Sequence, residues 1–496
     1  MSESKMAEPD IQPMSAEDVL ASKPPPSYEE AMGQFVTSVK ETQDESPPLS
    51  YIDIMPRMTD QGNMKNNMPP AFEKFSDIMR GANMWLQSNP ALRVWKCETV
   101  ERKVELGPVV HLDSTLHHES SGGANVYVFG VRLWLTRRTD PKEDIQELCL
   151  LNVPPPVKEI PVTIGHCGPF MGMGMGMEGM GMYPVMHFGR LGRRRMMVTQ
   201  GMIQTYEGLS KACDSYNEAT KADPLDGSIL NVETTPVKFG DRFSGREADP
   251  DVTSWSESGK SGKLFSTKRF TNILRVFYVK GPPRHETLNM QTFLPKVLRE
   301  PEWNRSAQFD TFDGVLAQTQ QWLQSQSGVR VVSIETRDTE FHAGFGQPVV
   351  FNEDSADDII TSIKDRNLVH YLRVFYVSAP DATSYGSTAL TSRLFVPIGT
   401  GGRRFETMTQ TMDHINAWLS VVGQPLFSVE TVPLLLTAGN RVDTSKADYK
   451  HTSRVGNYWL TCVRLYFPTP FQEPPPSALP ASQSSHGQQS SSCRIL

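Results

Sequence analysis

The strongest constraint on this chain is that it repeats itself. Phe405, Met408, Met412, Ile415, Leu419 and Val422 recur at spacings of three and four, the pattern of one amphipathic helix face. Trp418 sits beside that face, and Gly423 with Pro425 stops the helix. Arg393–Pro397 before it, and Leu426–Val432 and Tyr458–Phe467 after it, read as strands. The unit is strand, helix, strand, strand.

Three further copies lie upstream. Phe309, Phe312, Leu316 and Trp322 repeat the helix, Val329–Thr336 the second strand, and Leu372–Val377 the third. Phe72, Phe75, Met79 and Trp85 lead to Val94–Thr99 and Val131–Trp134, with Tyr51–Pro56 as the opening strand. Between these lies a divergent copy, with Ile229–Thr234, Ile273–Tyr278 and a helix near 202–222 that lacks the Trp. Every copy places a Glu-Thr pair in one strand, at Glu98, Glu233, Glu335 and Glu430. Every copy places an Arg in the next strand, at Arg132, Arg275, Arg373 and Arg464. A fixed period of this kind is the signature of repeat architecture.

The predicted fold class is α+β: four tandem units of antiparallel sheet, each covered by a helix on one face. Predicted boundaries are a Pro-rich tail at 1–48, unit 1 at 49–138, a Pro/Gly/Met-rich connection at 139–200, and unit 2 at 201–283. Unit 3 follows at 284–380, unit 4 at 381–470 and a second disordered tail at 471–496. The 38% hydrophobic content supplies several modest cores, while 37 Pro and 36 Gly exceed what four compact units need.

Alternation along the second strand puts Glu335 on one face with Ser333 and Val331, and Val332 and Ile334 on the other. Lys96, Asn231 and Ser428 precede their Glu by two, so the Glu face is the more polar one, opposite the helix. In an antiparallel hairpin Glu and Arg become cross-strand partners beside an aromatic ring. Two readings follow. One makes the pair a register device that closes the open sheet face. The other brings two open faces together around an aromatic-lined ligand groove.

No catalytic constellation emerges. No His recurs in the repeats, and His117-His118 fall in a loop rich in Ser and Gly. There is no Gly-x-Ser-x-Gly, His-Glu-x-x-His or Cys-x-x-Cys. Ser258-Gly-Lys-Ser-Gly-Lys263 lacks phosphate-loop spacing. The reading leans against an enzyme and calls for no cofactor. A net charge of −7 gives no electrostatic footprint for a nucleic-acid partner. Six Cys without paired spacing, and an acidic N-terminus without an apolar core, point to a reducing cytosol and no secretory signal. No run of about 18 apolar residues is present to span a membrane.

Three segments outside the repeats carry motifs. Pro25-Pro26-Ser27-Tyr28 resembles the PPxY ligand of WW domains, because a polyproline II turn docks on an aromatic groove at little ordering cost. The bland alternative is a Pro-rich linker. Met171, Met173, Met175 and Met177 alternate with Gly, and with His166 and Cys167 nearby they offer soft ligands for Cu(I). Met more commonly serves as an adaptable apolar contact, and the run then holds no metal. Cys493-Arg494-Ile495-Leu496 fits the C-a-a-X pattern, whose terminal Leu selects geranylgeranyl, although Arg494 is not aliphatic. No Lys or Arg supplies a polybasic second signal from Gln472 to Ser492.

The strand-helix-strand-strand order resembles, by element order alone, the tandem modules of GyrI-like and SOUL ligand-binding domains. That resemblance implies paired units with a groove on their open sheet faces, and it transfers no residue roles. The expected function is a non-enzymatic adaptor or scaffold, peripheral on the cytosolic face of a membrane through Cys493 and recruiting a WW-domain protein. The alternatives are a small-molecule or lipid carrier built from paired units, and an enzyme of unknown chemistry.

Overall fold

The computed structural model describes residues 49–479 apart from 64–67, 106–108, 120–124, 141–142, 167–196, 239–247, 257–266, 303–304, 343–346, 362–364, 379–384, 386–387, 438–440 and 453–456. The described residues are mostly β-sheet, with four α-helices and four main antiparallel sheets of four or five strands set in a ring, besides four two-stranded sheets.

Each unit has a lead strand, a helix, an inner strand, a short donated strand and a central strand. The lead strands are Ser50–Ile54, Leu148–Val153, Leu288–Phe293 and Thr391–Phe395. The helices are α1 (Phe75–Ser88), α2 (Leu209–Ala222), α3 (Phe312–Ser325) and α4 (Met408–Val422). The inner strands are Leu92–Glu105, Leu225–Lys238, Val329–His342 and Ser428–Leu435. The central strands are Val126–Arg137, Thr267–Arg284, Arg366–Ser378 and Asn457–Phe467. Within each sheet the central strand lies between the lead and inner strands.

Unit 2 starts earlier than its helix suggests. Its lead strand Leu148–Val153 falls in the stretch read from sequence as connection, because a ten-pair hairpin (Val157–His166 with Met197–Tyr206) separates it from α2. The corresponding hairpins of the other units contain strands of only two or three residues.

The donated strands tie the ring together. Leu116–Glu119 of unit 1 pairs with the central strand of unit 4, and Ser254–Ser256 of unit 2 with that of unit 1. Asp357–Thr361 of unit 3 pairs with unit 2, and Asp448–His451 of unit 4 with unit 3. His117 and His118 therefore lie in a strand, not a loop. Its four-residue pairing partner sits in another unit, more than 300 residues away, so no local pattern announces it.

Each helix packs between its own sheet and the next one. Phe75, Ile78, Met79 and Leu86 of α1 share a core with Val94, Cys97 and Leu133 of unit 1 and with Leu148 and Phe277 of unit 2. The same holds for α2 against Leu288 and Phe375, and for α3 against Leu390 and Tyr466. Around the ring, α4 packs on Leu49 and Trp134 of unit 1. Buried apolar area is the main favourable term in folding, and here it is shared across unit boundaries.

A bulge in the inner strand of units 1 to 3, at Trp95, Leu230 and Val332, shifts the alternation. Strict alternation puts Val331 on the Glu face; instead Val331 packs in the α3 core and Val332 against the core of unit 2.

Candidate functional site

The Glu and Arg of each unit stand directly opposite each other on neighbouring strands: Glu98 and Arg132, Glu233 and Arg275, Glu335 and Arg373, Glu430 and Arg464. All four Arg are buried, Arg132 and Arg373 completely. The direct ionic contacts are nevertheless long, 3.8 Å for Arg373–Glu335 and 3.7 Å for Arg464–Glu430. The carboxylates spend their acceptor capacity elsewhere.

Each Glu takes hold of the Thr that follows the Glu of the preceding unit. Glu335 accepts the Thr234 backbone N–H at 2.9 Å and its hydroxyl at 2.6 Å. Glu430 accepts the same two groups of Thr336 at 2.6 and 2.5 Å, and Glu233 those of Thr99. The circle closes with Glu98, which accepts Thr431 N–H at 2.7 Å and its hydroxyl at 2.8 Å. The Arg opposite each Glu reaches the same Thr hydroxyl in three of the four cases, from Arg132, Arg275 and Arg373 at 2.9, 2.8 and 2.7 Å. Glu and Arg of one unit thus clamp one Thr of its neighbour.

The residue two before each Glu adds a second tie. Asn231 donates to Cys97 O and accepts from Cys97 N, both at 2.8 Å, and Ser333 bonds both backbone groups of Val232. Lys96 performs this task between units 1 and 4, its ammonium donating to Val429 O at 2.5 Å. The polar sheet face is pressed on the neighbouring inner strand.

Charge balance differs from unit to unit. Arg132 donates to both oxygens of Asp53 at 2.6 and 2.7 Å, and Arg102 donates to Asp53 at 3.2 Å. Burial works to raise the Asp53 carboxyl, but the Arg132 and Arg102 charges outweigh it and hold it below the usual range. Glu233 behaves oppositely: burial pushes its carboxyl up, and Arg275 with the Thr99 bonds offsets only part. The same burial brings Arg275 down to about 10. Arg275 finds Asn152 at 3.0 Å where Arg132 has Asp53.

The clamps are joints in which each Glu carboxylate is taken up by a Thr of the neighbouring unit, while Arg373 Nε and Arg464 Nε are buried without a hydrogen-bond partner. Sequence reasoning singled out Glu and Arg and gave Thr99, Thr234, Thr336 and Thr431 no role. The signal for them was present as the invariant Glu-Thr pair. Among the described residues no group of three or more His, Cys, Asp or Glu is arranged to hold a metal. His166 ends the strand Val157–His166, but its side chain lies outside what the structure describes, as do Cys167, Met171, Met173, Met175 and Met177. Pro25, Pro26, Tyr28 and Cys493 also lie outside the described residues. An open cleft beside α2, lined by Asp214, Asn217, Glu218, His285 and Glu286, includes none of the repeat Glu or Arg residues. No described helix is long and apolar enough to cross a membrane.

No known protein family matches the chain, and searches of curated proteins and of solved structures likewise found no match.

Proposed function

We propose that this chain is a non-enzymatic scaffold: a ring of four α+β units that carries a WW-domain ligand at Pro25, Pro26 and Tyr28 and a prenylation site at Cys493, and so recruits a WW-domain protein to the cytosolic face of a membrane. The observation that carries the reading is where the two ends of the ring meet. Leu49, fully buried, and Leu479, partly buried, pack in one cluster with Trp418 at the junction of units 4 and 1. Both motif-bearing segments therefore start from one corner of a body whose polar faces are occupied by its own clamps. A fully extended chain from Tyr28 to Leu49 covers at most about 75 Å, and one from Leu479 to Cys493 at most about 50 Å. A WW partner held at Tyr28 is thereby confined near whatever surface Cys493 enters.

Anchoring rests on the prenyl chain, at about 0.8 kcal/mol per buried methylene. The test is a cell fractionation that follows a tagged WW domain and the full chain with its C-terminus free. Recruitment of the WW domain to membranes should be lost with Tyr28→Ala while the chain itself stays on the membrane, and both should be lost with Cys493→Ser. A WW domain that follows the Tyr28→Ala chain to the membrane overturns the PPxY reading. A Cys493→Ser chain that distributes like wild type overturns the anchor.

A further inference from the structure

Of the four junctions in the ring, three are crossed by the chain as it passes from one unit to the next. The junction of units 4 and 1 has no such connection and relies on non-covalent contacts alone. One of these is the donated strand Leu116–Glu119, paired with Asn457–Leu460. The strand carries two adjacent histidines. His117 stands opposite Trp459, with Nε2 3.4 Å from the Thr461 hydroxyl, and His118 stacks on Tyr458 at 4.4 Å.

Half-buried His117 faces Arg102 of the inner strand of unit 1, and Arg102 shares the Asp53 carboxylate with Arg132.

We propose that the unit 4–unit 1 junction is a proton-operated latch: mild acid loosens Leu116–Glu119 from Asn457–Leu460 and opens the ring there while the other three junctions hold. A proton on His117 adds a cation beside Arg102, where the Asp53 charge is already divided between two guanidinium groups. Burial first, and Arg102 second, push the His117 imidazole down to about 4. A His whose folded pKa is pushed down contributes stability that is present above its unfolded pKa of roughly 6.5 and is lost as pH falls toward the folded value.

The surrounding groups act in both directions. Burial first, then Lys103 and Arg403, disfavour a charge on His118, while Glu119 favours it. Glu119 also meets His451 of unit 4 at 3.0 Å and accepts from Asn457 and Trp459. At the unit 3–unit 4 junction His370 pairs with Asp338 and stacks on Tyr449 of the donated strand, so a carboxylate stands beside that histidine. Opening is directed to the joint whose histidine, His117, faces the Arg102 charge.

Hydrogen exchange of the full chain at about pH 7.4 and pH 5, corrected for intrinsic rates, reads the latch. Opening at 116–119 and 457–460 should rise about 30-fold in acid, the ratio set by folded and unfolded pKa values of about 4 and 6.5. Exchange at 254–256 and 126–128 should stay unchanged. His117→Gln should remove the acid response. The proposal is overturned if wild type opens equally at both junctions, if it opens at neither, or if His117→Gln responds like wild type.

Discussion

Glu335 and Thr234 sit 101 residues apart and meet through two hydrogen bonds, the carboxylate taking the Thr234 backbone N–H at 2.9 Å and its hydroxyl at 2.6 Å. The backbone bond occupies an N–H on the inner strand, and the side-chain bond fixes which residue that N–H belongs to. Repeated four times, the contact sets the phase of each sheet against the next. Arg373 completes it by donating to the same hydroxyl at 2.7 Å.

Thr234→Val should therefore cost more than a surface substitution. A hydrogen bond to a charged group contributes about 1.5–3 kcal/mol, and here the Arg373 donor is left without its acceptor as well. Urea unfolding of the full chain measures the loss. Because Thr234, Glu335 and Arg373 form one network, Glu335→Gln with Arg373→Gln should destabilise less than the two singles added together. Strict additivity would mean that the three do not act as a clamp.

Trp418 and Trp322 occupy equivalent helix positions but differ in cover. Trp418 is 1% exposed, donates to Glu473 at 2.9 Å and contacts Phe395, Phe467 and Phe471. Trp322 is only partly buried, against Phe293 and Tyr376. Truncation of a buried aromatic costs about 3–5 kcal/mol, so Trp418→Ala should fall in that range and Trp322→Ala below it. Thermal unfolding of both variants checks the order, and equal losses would show that the cover Phe471 and Glu473 give Trp418 adds nothing.

These positions also show what was legible from the sequence. The helix faces and the strands around each Glu-Thr follow from local period, so the four units could be read from residues alone. The ring could not. Its joints depend on Leu116–Glu119 finding Asn457–Leu460, and on Asn231 finding Cys97, contacts between segments far apart in sequence. Val332 was placed on the wrong face because a bulge adds one residue and alternation has no means of counting it. The lead strand of unit 2 was hidden because the long hairpin after it separates it from its helix.

Capping across units offers a separate test. Gly208 is the N-cap of α2 and has no side chain to offer; Asp354 of unit 3 accepts from Ser210 N at 2.8 Å and from its hydroxyl at 2.7 Å. A Cβ on Gly208 would stand 2.1 Å from the Asp354 carboxylate, so the glycine makes room for its neighbour's cap. Asp251 serves α1 and Asp113 serves α4 in the same way. Asp354→Ala should cost about 0.5–2 kcal/mol, the usual worth of an N-cap. It should also raise hydrogen exchange in the first turn of α2. Unchanged exchange at 209–212 would show that the cap is ornamental.

Two buried carboxyls should respond to pH with opposite slopes. Asp53 is held low by Arg132 and Arg102 against the effect of burial. Its contribution is present above the unfolded value of about 3.9 and is lost as pH falls through the folded one. Asp53→Asn should therefore be costly at neutral pH and progressively less so in acid. Glu233 is raised, chiefly by burial, and Arg275 donates to the Thr99 hydroxyl instead of directly to the carboxylate. Its folded form holds a proton longer than the unfolded chain does, so its contribution is complete below about pH 4.3 and declines as pH rises through the folded value. Gln cannot ionise, so Glu233→Gln removes that decline, and the variant should fall furthest behind wild type in acid and recover ground toward pH 8. Urea unfolding of the Asp53→Asn variant from about pH 2 to pH 7, and of the Glu233→Gln variant from about pH 4 to pH 8, separates the two slopes. A Glu233→Gln deficit that widens as pH rises would show that Glu233 is a stabilised carboxylate, and that Arg275 outweighs its burial.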